Sequence, residues 1–289
     1  MGALDGKVVL ITGTSKGGIG TAIAQRFAAE GARLAMAARD EAGLRTALQR
    51  VRDAGSDGVV LRCDLADPEG GRDTLVSRTE DALGPIDVLV NNSASGGYKP
   101  FTEWTLDALQ RMQEVNVWAP WVLCQDAVLS MRERGTGGAI INVSSSAARV
   151  PEGPVFLDTA PSRAGAAYGG TKAMLDRMTI SLAHEVMAEG ISANTLAPQA
   201  AAATPGLVAS NWLDEGYFEP LDTLAEAALA LCTVDARVCT GRVLFSLAFL
   251  LERGRPVHDV SGGQLLDGWQ PADLARKIAG MRALQHRVS

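Results

Sequence analysis

The stretch ITGTSKGGIG, Ile11 to Gly20, decides the fold. It follows the apolar run KVVLI and opens into TAIAQRFAAEGA, which reads as a helix ending at about Glu30, before Gly31. A short, β-branched run bounded by glycine reads as a buried strand. Glycines between a strand and a helix let the backbone approach a ligand closely, and the open N–H groups at the helix start favour an anion. After the first strand of a doubly wound sheet, such a turn takes the pyrophosphate of a dinucleotide. Elsewhere it is only a turn, so its meaning rests on what surrounds it.

Strand and helix signals alternate along the rest of the chain. RLAMAA (33–38), GVVLRC (58–63), IDVLVN (86–91), GAIINVS (138–144), ISANTL (191–196) and GRVLFS (241–246) read as strands. Helices are expected from about 41 to 54, over 68–83, from about 105 to 134 and from about 167 to 189. The alternation predicts an α/β fold: a Rossmann-type, doubly wound, mostly parallel sheet of seven strands with helices on both faces. No repeat or low-complexity linker interrupts it. Residues 1–246 are expected to form one dinucleotide-binding and catalytic domain, and 247–289 a C-terminal extension. In the extension, ADLARKIAGMRAL is an amphipathic helix expected to pack on the body or on a neighbouring subunit.

Composition narrows the function. The chain has 289 residues, of which 47% are hydrophobic, enough for one full core. A net charge of −6 without a basic run argues against nucleic acid as a partner. Cys63, Cys124, Cys232 and Cys239 are scattered and read as buried, reduced thiols, so no metal site is expected. No secretory signal is expected, and the sequence holds no apolar run of the roughly 18 residues that a membrane span needs. A cytoplasmic protein without a membrane partner is expected.

The stretch YGGTKAML adds chemistry. Tyr168 and Lys172 lie four residues apart on an expected helix and so share a face. A phenol with a pKa of about 10 is a poor acid or base at neutral pH, but a nearby ammonium favours the phenolate and lowers that value. Such a pair suits the interconversion of an alcohol and a ketone. The spacing by itself is common on helices.

In order along the chain, TGTSKGGIG, CDLAD, NNSA, EVNV, INVSSSA and YGGTK resemble the short-chain dehydrogenase/reductase family over roughly residues 5–246. The resemblance implies an oxidoreductase that moves a hydride between a nicotinamide and a carbonyl carbon, with Tyr168 as general acid/base. Lys172 would hold the nicotinamide ribose, Ser145 would polarise the substrate carbonyl, and Asn116 would anchor a water that relays protons to Lys172. Ser144 and Ser146 flank Ser145 and would serve only hydrogen bonding at the strand end. The cofactor would be held by Gly13, Ser15, Lys16, Gly18, Ile19 and Gly20 of the loop, by Arg39, Asp64, Leu65, Asn91, Ser93 and Thr204, and by Tyr168 and Lys172. The family also implies a homo-oligomer, a tetramer or dimer packed through the two long helices. A non-catalytic redox sensor, or a lyase or dehydratase on the same fold, are the alternatives; a sensor needs no proton relay.

At the end of the second strand stands Ala38, followed by Arg39. Specificity for NAD wants a carboxylate there for the ribose 2′-hydroxyl, whereas a 2′-phosphate wants a guanidinium. NADP(H) is therefore the expected cofactor, with NAD(H) second; Lys16 would add a charge, and Asp40 would start the next helix.

Four features depart from the family pattern. The glycine loop holds one extra residue between Gly13 and Gly18. Ser145 and Tyr168 are 23 residues apart, more than the family usually has, and the inserted segment 148–164 is expected to be a stiff, proline-rich wall of the substrate pocket. Pro198-Gln199 replaces the family's Pro-Gly, and Thr204 falls one place late. Finally, the chain runs on past the seventh strand.

Overall fold

The computed structural model describes residues 2–149, 164–211, 213 and 215–285. The strands are β1 (Val8–Thr12), β2 (Arg33–Ala38), β3 (Gly58–Arg62), β4 (Val88–Asn91), β5 (Gly138–Val143), β6 (Ile191–Ala197), β7 (Ala201–Ala202), β8 (Phe218–Glu219) and β9 (Val243–Phe245). Seven of them form one sheet in the order β3-β2-β1-β4-β5-β6-β9, and β7 and β8 pair separately. Every pairing in the large sheet is parallel, as the alternating pattern predicts.

Parallel strands covered on both faces must be apolar at nearly every position. All five residues of β1 are buried, and successive side chains go to opposite faces. Val9 and Ile11 join one apolar cluster with Leu34 and Met36; Val8 and Leu10 join the other with Ala35 and Ala37. The helices, several of which cover these faces, are α1 (Ile19–Ala29), α2 (Glu41–Asp53), α3 (Leu75–Leu83), α4 (Leu106–Gln113), α5 (Ala119–Arg134), α6 (Ala166–Val186), α7 (Pro205–Ala209), α8 (Leu221–Thr233), α9 (Ser246–Glu252) and α10 (Pro271–Gln285). The four cysteines are free thiols, three buried and Cys232 half-buried.

Two helical regions differ from expectation. Residues 68–83 are not one helix: a 3₁₀ turn, Pro68–Gly70, stops at Gly71 with φ +91°, and α3 begins only at Leu75. Gly71 adopts a left-handed conformation that ends a helical turn. The run from 105 to 134 is continuous but contains a π turn at Glu114–Trp118 between α4 and α5. Helix α8 has no counterpart among the expected elements. Thr223 to Leu231 are all buried, because α8 packs against α1, α9 and the sheet. A helix buried all round has no polar stripe to betray its period.

The C-terminal segment packs onto the body. Leu247, Phe249 and Leu250 of α9, and Leu274, Ile278 and Met281 of α10, belong to the same apolar cluster as α1 and α8. A buried carboxylate reinforces the contact: Glu226 of α8 receives Arg26 Nε at 2.9 Å and Arg255 Nε at 2.6 Å.

The sheet order reverses between β1 and β4, where the C-terminal ends of the strands open a crevice. Asn92, just past β4, bridges it. Its Nδ2 donates to the carbonyls of Thr12 (2.9 Å) and Gly13 (3.1 Å), and its backbone N–H donates to Thr12 Oγ1 (3.0 Å). Gly13, at φ +78°, and Gly20 close around this amide. A β-carbon at Gly20 would fall 2.5 Å from Asn92 Nδ2 and 2.7 Å from the Gly13 carbonyl. Gly20→Ala is expected to destabilise the protein by about 1–3 kcal/mol, the cost of overpacking. Gly170→Ala, on α6 where nothing lies within 4 Å, is expected to be neutral or stabilising. Thermal denaturation of the two variants checks the contrast.

Candidate active site

The glycine turn sits on the crevice. Gly17 carries a positive φ of +67°, and Gly18 caps α1 without any side-chain hydrogen bond, so the first N–H groups of the helix stay open. Thr14 Oγ1 is buried nearby without a partner. A β-carbon would lie 3.7 Å from Pro205 at Gly17 and 3.5 Å from Thr204 at Gly18. The loop after β6 thus leans on the glycine turn, which brings Thr204 to the residues with which it was grouped. An open helix start, an orphaned hydroxyl and bare glycines fit the phosphates of a dinucleotide. The extra residue is absorbed here: Gly13 and Gly20 serve Asn92, while Gly17 and Gly18 face the opposite loop. Ser15 packs its carbonyl against Gly43 at the start of α2, and Ile19 packs on the core.

Beyond the end of β2 and in the glycine turn, Arg39 and Lys16 are exposed and form no hydrogen bond or ion pair among the described residues. Asp40 caps α2 by accepting from Gly43 N at 3.2 Å. Arg50 of α2 was not foreseen; its Nη1 lies 4.0 Å from where a Gly17 β-carbon would stand. It is too far along the chain from the loop for spacing to reveal it. Asp64 Oδ1 accepts from Ala66 N at 3.1 Å, its Oδ2 faces Arg111 at 3.4 Å, and Leu65 is buried beside it. Ser93 N donates to Thr12 Oγ1 at 3.1 Å, next to the turn. Asn91 is placed differently. Its side chain turns into the sheet, where Nδ2 donates to Asn142 Oδ1 at 2.9 Å, so only its backbone faces the crevice side.

The chemistry-bearing residues meet at the ends of β4 and β5 and the start of α6. Ser145 opens a 3₁₀ turn, Ser146–Ala148, its Oγ accepting from Ala147 N at 3.2 Å, and its hydroxyl stands near enough to the Tyr168 phenol to favour the phenolate. Lys172 Nζ lies 5.9 Å from the Tyr168 ring centroid and donates to the Val143 carbonyl at 2.7 Å. Tyr98 stands edge-on to Tyr168, with centroids 6.0 Å apart. Asn116, in the π turn, is wholly engaged. Its Oδ1 accepts from Ser95 N at 2.8 Å, and its Nδ2 donates to Ser95 O at 2.8 Å and Thr171 Oγ1 at 3.0 Å. That side chain ties the loop after β4 to the helix bearing Tyr168 and Lys172. Most of the inserted segment, 150–163, lies outside the described residues. At its end, Ala164 O accepts from Lys99 N at 3.2 Å, which fastens it to the stretch beside Tyr98.

The electrostatics correct one expectation. Tyr168 is not lowered by Lys172: burial pushes the phenol up, and the Ser145 hydroxyl is the countering influence. The ammonium is turned toward Val143 rather than toward the phenol oxygen. Burial also pulls Lys172 down to about 8, against the attraction of Asp176. The phenol therefore stays protonated at neutral pH, ready to act as an acid.

The comparisons with known proteins agree with this geometry. The model of the family described as short chain dehydrogenase matches residues 7–211. The chain belongs to the short-chain dehydrogenase family. A short chain dehydrogenase of Pseudocercospora fijiensis is 35% identical over 68% of this chain and 60% of its own length. A 3beta-hydroxysteroid dehydrogenase 1 of Eggerthella lenta is 31% identical over 84% of this chain and 92% of its own. A metagenomic short-chain oxidoreductase solved in complex with NADP superposes with a TM-score of 0.69 at 27% identity, over 84% and 97% of the two chains. The protein is thus an NAD(P)-dependent oxidoreductase of the alcohol–carbonyl type. No helix of the described residues is long and apolar enough to cross a membrane.

One residue of the loop after β6 escaped the sequence reading. Glu219 of β8 is fully buried and accepts from Gln199 N, from Thr223 Oγ1 at 2.9 Å and from Ser246 Oγ at 2.6 Å. It fixes the loop that carries Thr204. Burial raises its pKa to about 7, so the folded state binds the proton more tightly than the unfolded chain does. Stability from this group is full below the ordinary carboxyl range and is lost as pH rises through about 7. The melting temperature of wild type relative to Glu219→Gln should therefore fall between about pH 5 and about pH 8, by the equivalent of ~3 kcal/mol.

Proposed function

We propose that this short-chain dehydrogenase prefers NADP(H) and reduces or forms a carbonyl group with Tyr168 as its acid/base. One observation carries the preference. At the end of β2, Ala38 offers no carboxylate, Arg39 is free to meet a 2′-phosphate, and the neighbouring Asp40 is already used as the cap of α2. Lys16 and Arg50 add positive charge on the glycine-turn side. A planar guanidinium pairs with phosphate in a two-bond fork, which a ribose hydroxyl cannot exploit equally.

The nicotinamide, when bound, supplies or accepts the hydride. The chain does the rest. Gly17 and Gly18 with the open start of α1 hold the phosphates, on a turn shaped by Gly13 and Gly20, and Asp64 with Leu65 borders the adenine. Ser145 donates to the substrate carbonyl oxygen and orients it. Tyr168 gives its proton to the same oxygen during reduction and takes it back during oxidation. Lys172 offsets the charge left on the phenol oxygen and holds the ribose. Asn116 contributes by fixing Ser95 and Thr171 in place. Exposed apolar residues, Trp118 at the end of the π turn, Trp121 on α5, and Met174 and Ile180 on α6, support a homo-oligomer built through these helices. A non-catalytic sensor is disfavoured by the Ser145–Tyr168–Lys172 constellation.

Turnover, followed by cofactor absorbance on a panel of ketones and alcohols, tests the activity. Tyr168→Phe is expected to bind cofactor normally and to lose ~10²–10⁴ of the rate where chemistry is limiting; retention of about a tenth of the rate overturns the acid/base assignment. Arg39→Ala is expected to weaken NADP(H) binding by about 1.5–3 kcal/mol and to leave NAD(H) nearly unchanged. Equal losses for the two cofactors, or a wild-type preference for NAD(H), overturn the preference; titration calorimetry with each cofactor reads both.

A further inference from the structure

Helix α6 carries a third ionisable side chain beneath the reacting groups. Asp176 follows Lys172 by four residues and Tyr168 by eight, so all three share one face. Asp176 is 9% exposed and Lys172 only 2%. The groups around the Asp176 carboxyl come from every neighbouring element: Ser144 at the end of β5, Thr195 in β6, Arg149 beyond the 3₁₀ turn and Lys172 on its own helix. Burial is the largest influence and raises the carboxyl's pKa; all four groups act against it and favour the charged form. The two hydroxyls lie close without closing a well-aligned bond: Asp176 Oδ1, Ser144 Oγ and Thr195 Oγ1 are each buried without a partner. Among the described residues this carboxylate caps no helix and closes no ion pair within 4 Å. Such a group is costly to bury.

Lys172 has the complementary difficulty. Its ammonium is sealed from water, and its hydrogen-bond partner is a neutral carbonyl, that of Val143. The negative charge acting on it is that of Asp176. We propose that Asp176 is a positioning residue for the reaction: its carboxylate keeps the buried Lys172 an ammonium ion, so that a cation stands beside Tyr168 when the phenol gives up its proton. This rests on the reading that Tyr168 and Lys172 act together. In the step it serves, the phenol O–H bond breaks, the proton goes to the substrate carbonyl oxygen, and the electron pair stays on the phenolate. A neutral amine at Lys172 would leave that phenolate uncompensated in a poorly solvated site.

The Lys172 ammonium can be titrated directly by NMR in the full chain labelled at the lysine Cε carbon, with its signal assigned by its loss in Lys172→Met. The wild-type step is expected near about 8. Asp176→Asn and Asp176→Leu, both neutral, should each lower it by about one pH unit or more, a tenfold change in proton affinity. Asp176→Glu should keep it in place. If either neutral variant fails to fold, the other still decides. In the direction of ketone reduction, the alkaline limb of the rate profile should move down by the same amount, with the low-pH plateau unchanged within about twofold. An unmoved Lys172 step in the neutral variants, or a lowered plateau with an unmoved limb, overturns the proposal. Tyr168→Phe separates this from the reading on which it rests: if that variant still turns over, the acid/base assignment fails, while the lysine titration still decides the role of Asp176.

Discussion

Asn92 donates from one amide nitrogen to the carbonyls of two successive residues at the end of β1, and its own N–H is held by the Thr12 hydroxyl. These bonds lock β4 to β1 at the point where the sheet changes direction. They satisfy backbone groups that the diverging strands would otherwise leave unpaired. The same amide fills the hollow between Gly13 and Gly20, so the glycine turn is shaped from beneath by a side chain as well as by its own sequence. The open start of α1, the position of Gly17 and Gly18, and the approach of Thr204 and Pro205 follow from that placement.

A second layer of buried polar bonds sets the catalytic helix on the sheet. Asn91 donates to Asn142, Asn142 donates to Thr179, and Thr179 returns a bond to Leu175 O. Asn91 Oδ1 is left buried without a partner, but the bonds that are made fix one register of helix on strand. Asn116 does the same from above, through Ser95 and Thr171. Tyr168 and Lys172 are therefore placed by Thr171, beside Lys172, and by Thr179, about two turns further along α6. The cost is burial of the reacting groups, which raises the phenol and lowers the amine.

The sheet was legible in the sequence because parallel, doubly covered strands read as unbroken apolar runs, and glycines mark most of their ends. The meeting of Ser145, Tyr168 and Lys172 was legible too, through helix spacing and motif order. Features set by tertiary contact were not. Arg50 nears Gly17 only after α2 has packed, and Asn92 looks like any polar residue in a turn until β1 and β4 pair. Glu219 sits in a stretch that reads as surface, and only the pairing of β7 with β8 and the packing of Thr223 and Ser246 bury it. Asn91 and Asn92 are adjacent and chemically alike, yet strand alternation sends one into the sheet and the other to the crevice, so the side chain that shapes the glycine turn is the one that motif matching passed over.

The π turn between α4 and α5 closes through a bond from Ala119 N to the carbonyl of Glu114, five residues back. It holds one more residue than an α-helical turn, and Asn116 lies inside it. Removing a single residue there would restore the α-helix and rotate everything after it by about 100° relative to α4. Trp118, Cys124 and the apolar stripe of α5 would leave their present faces together, and Asn116 would swing away from Ser95 and Thr171. Between Thr105 and Arg134 the chain is thus constrained in its length as strictly as in its residue types. A change of length is harder to absorb in this helix than in the loops around the crevice.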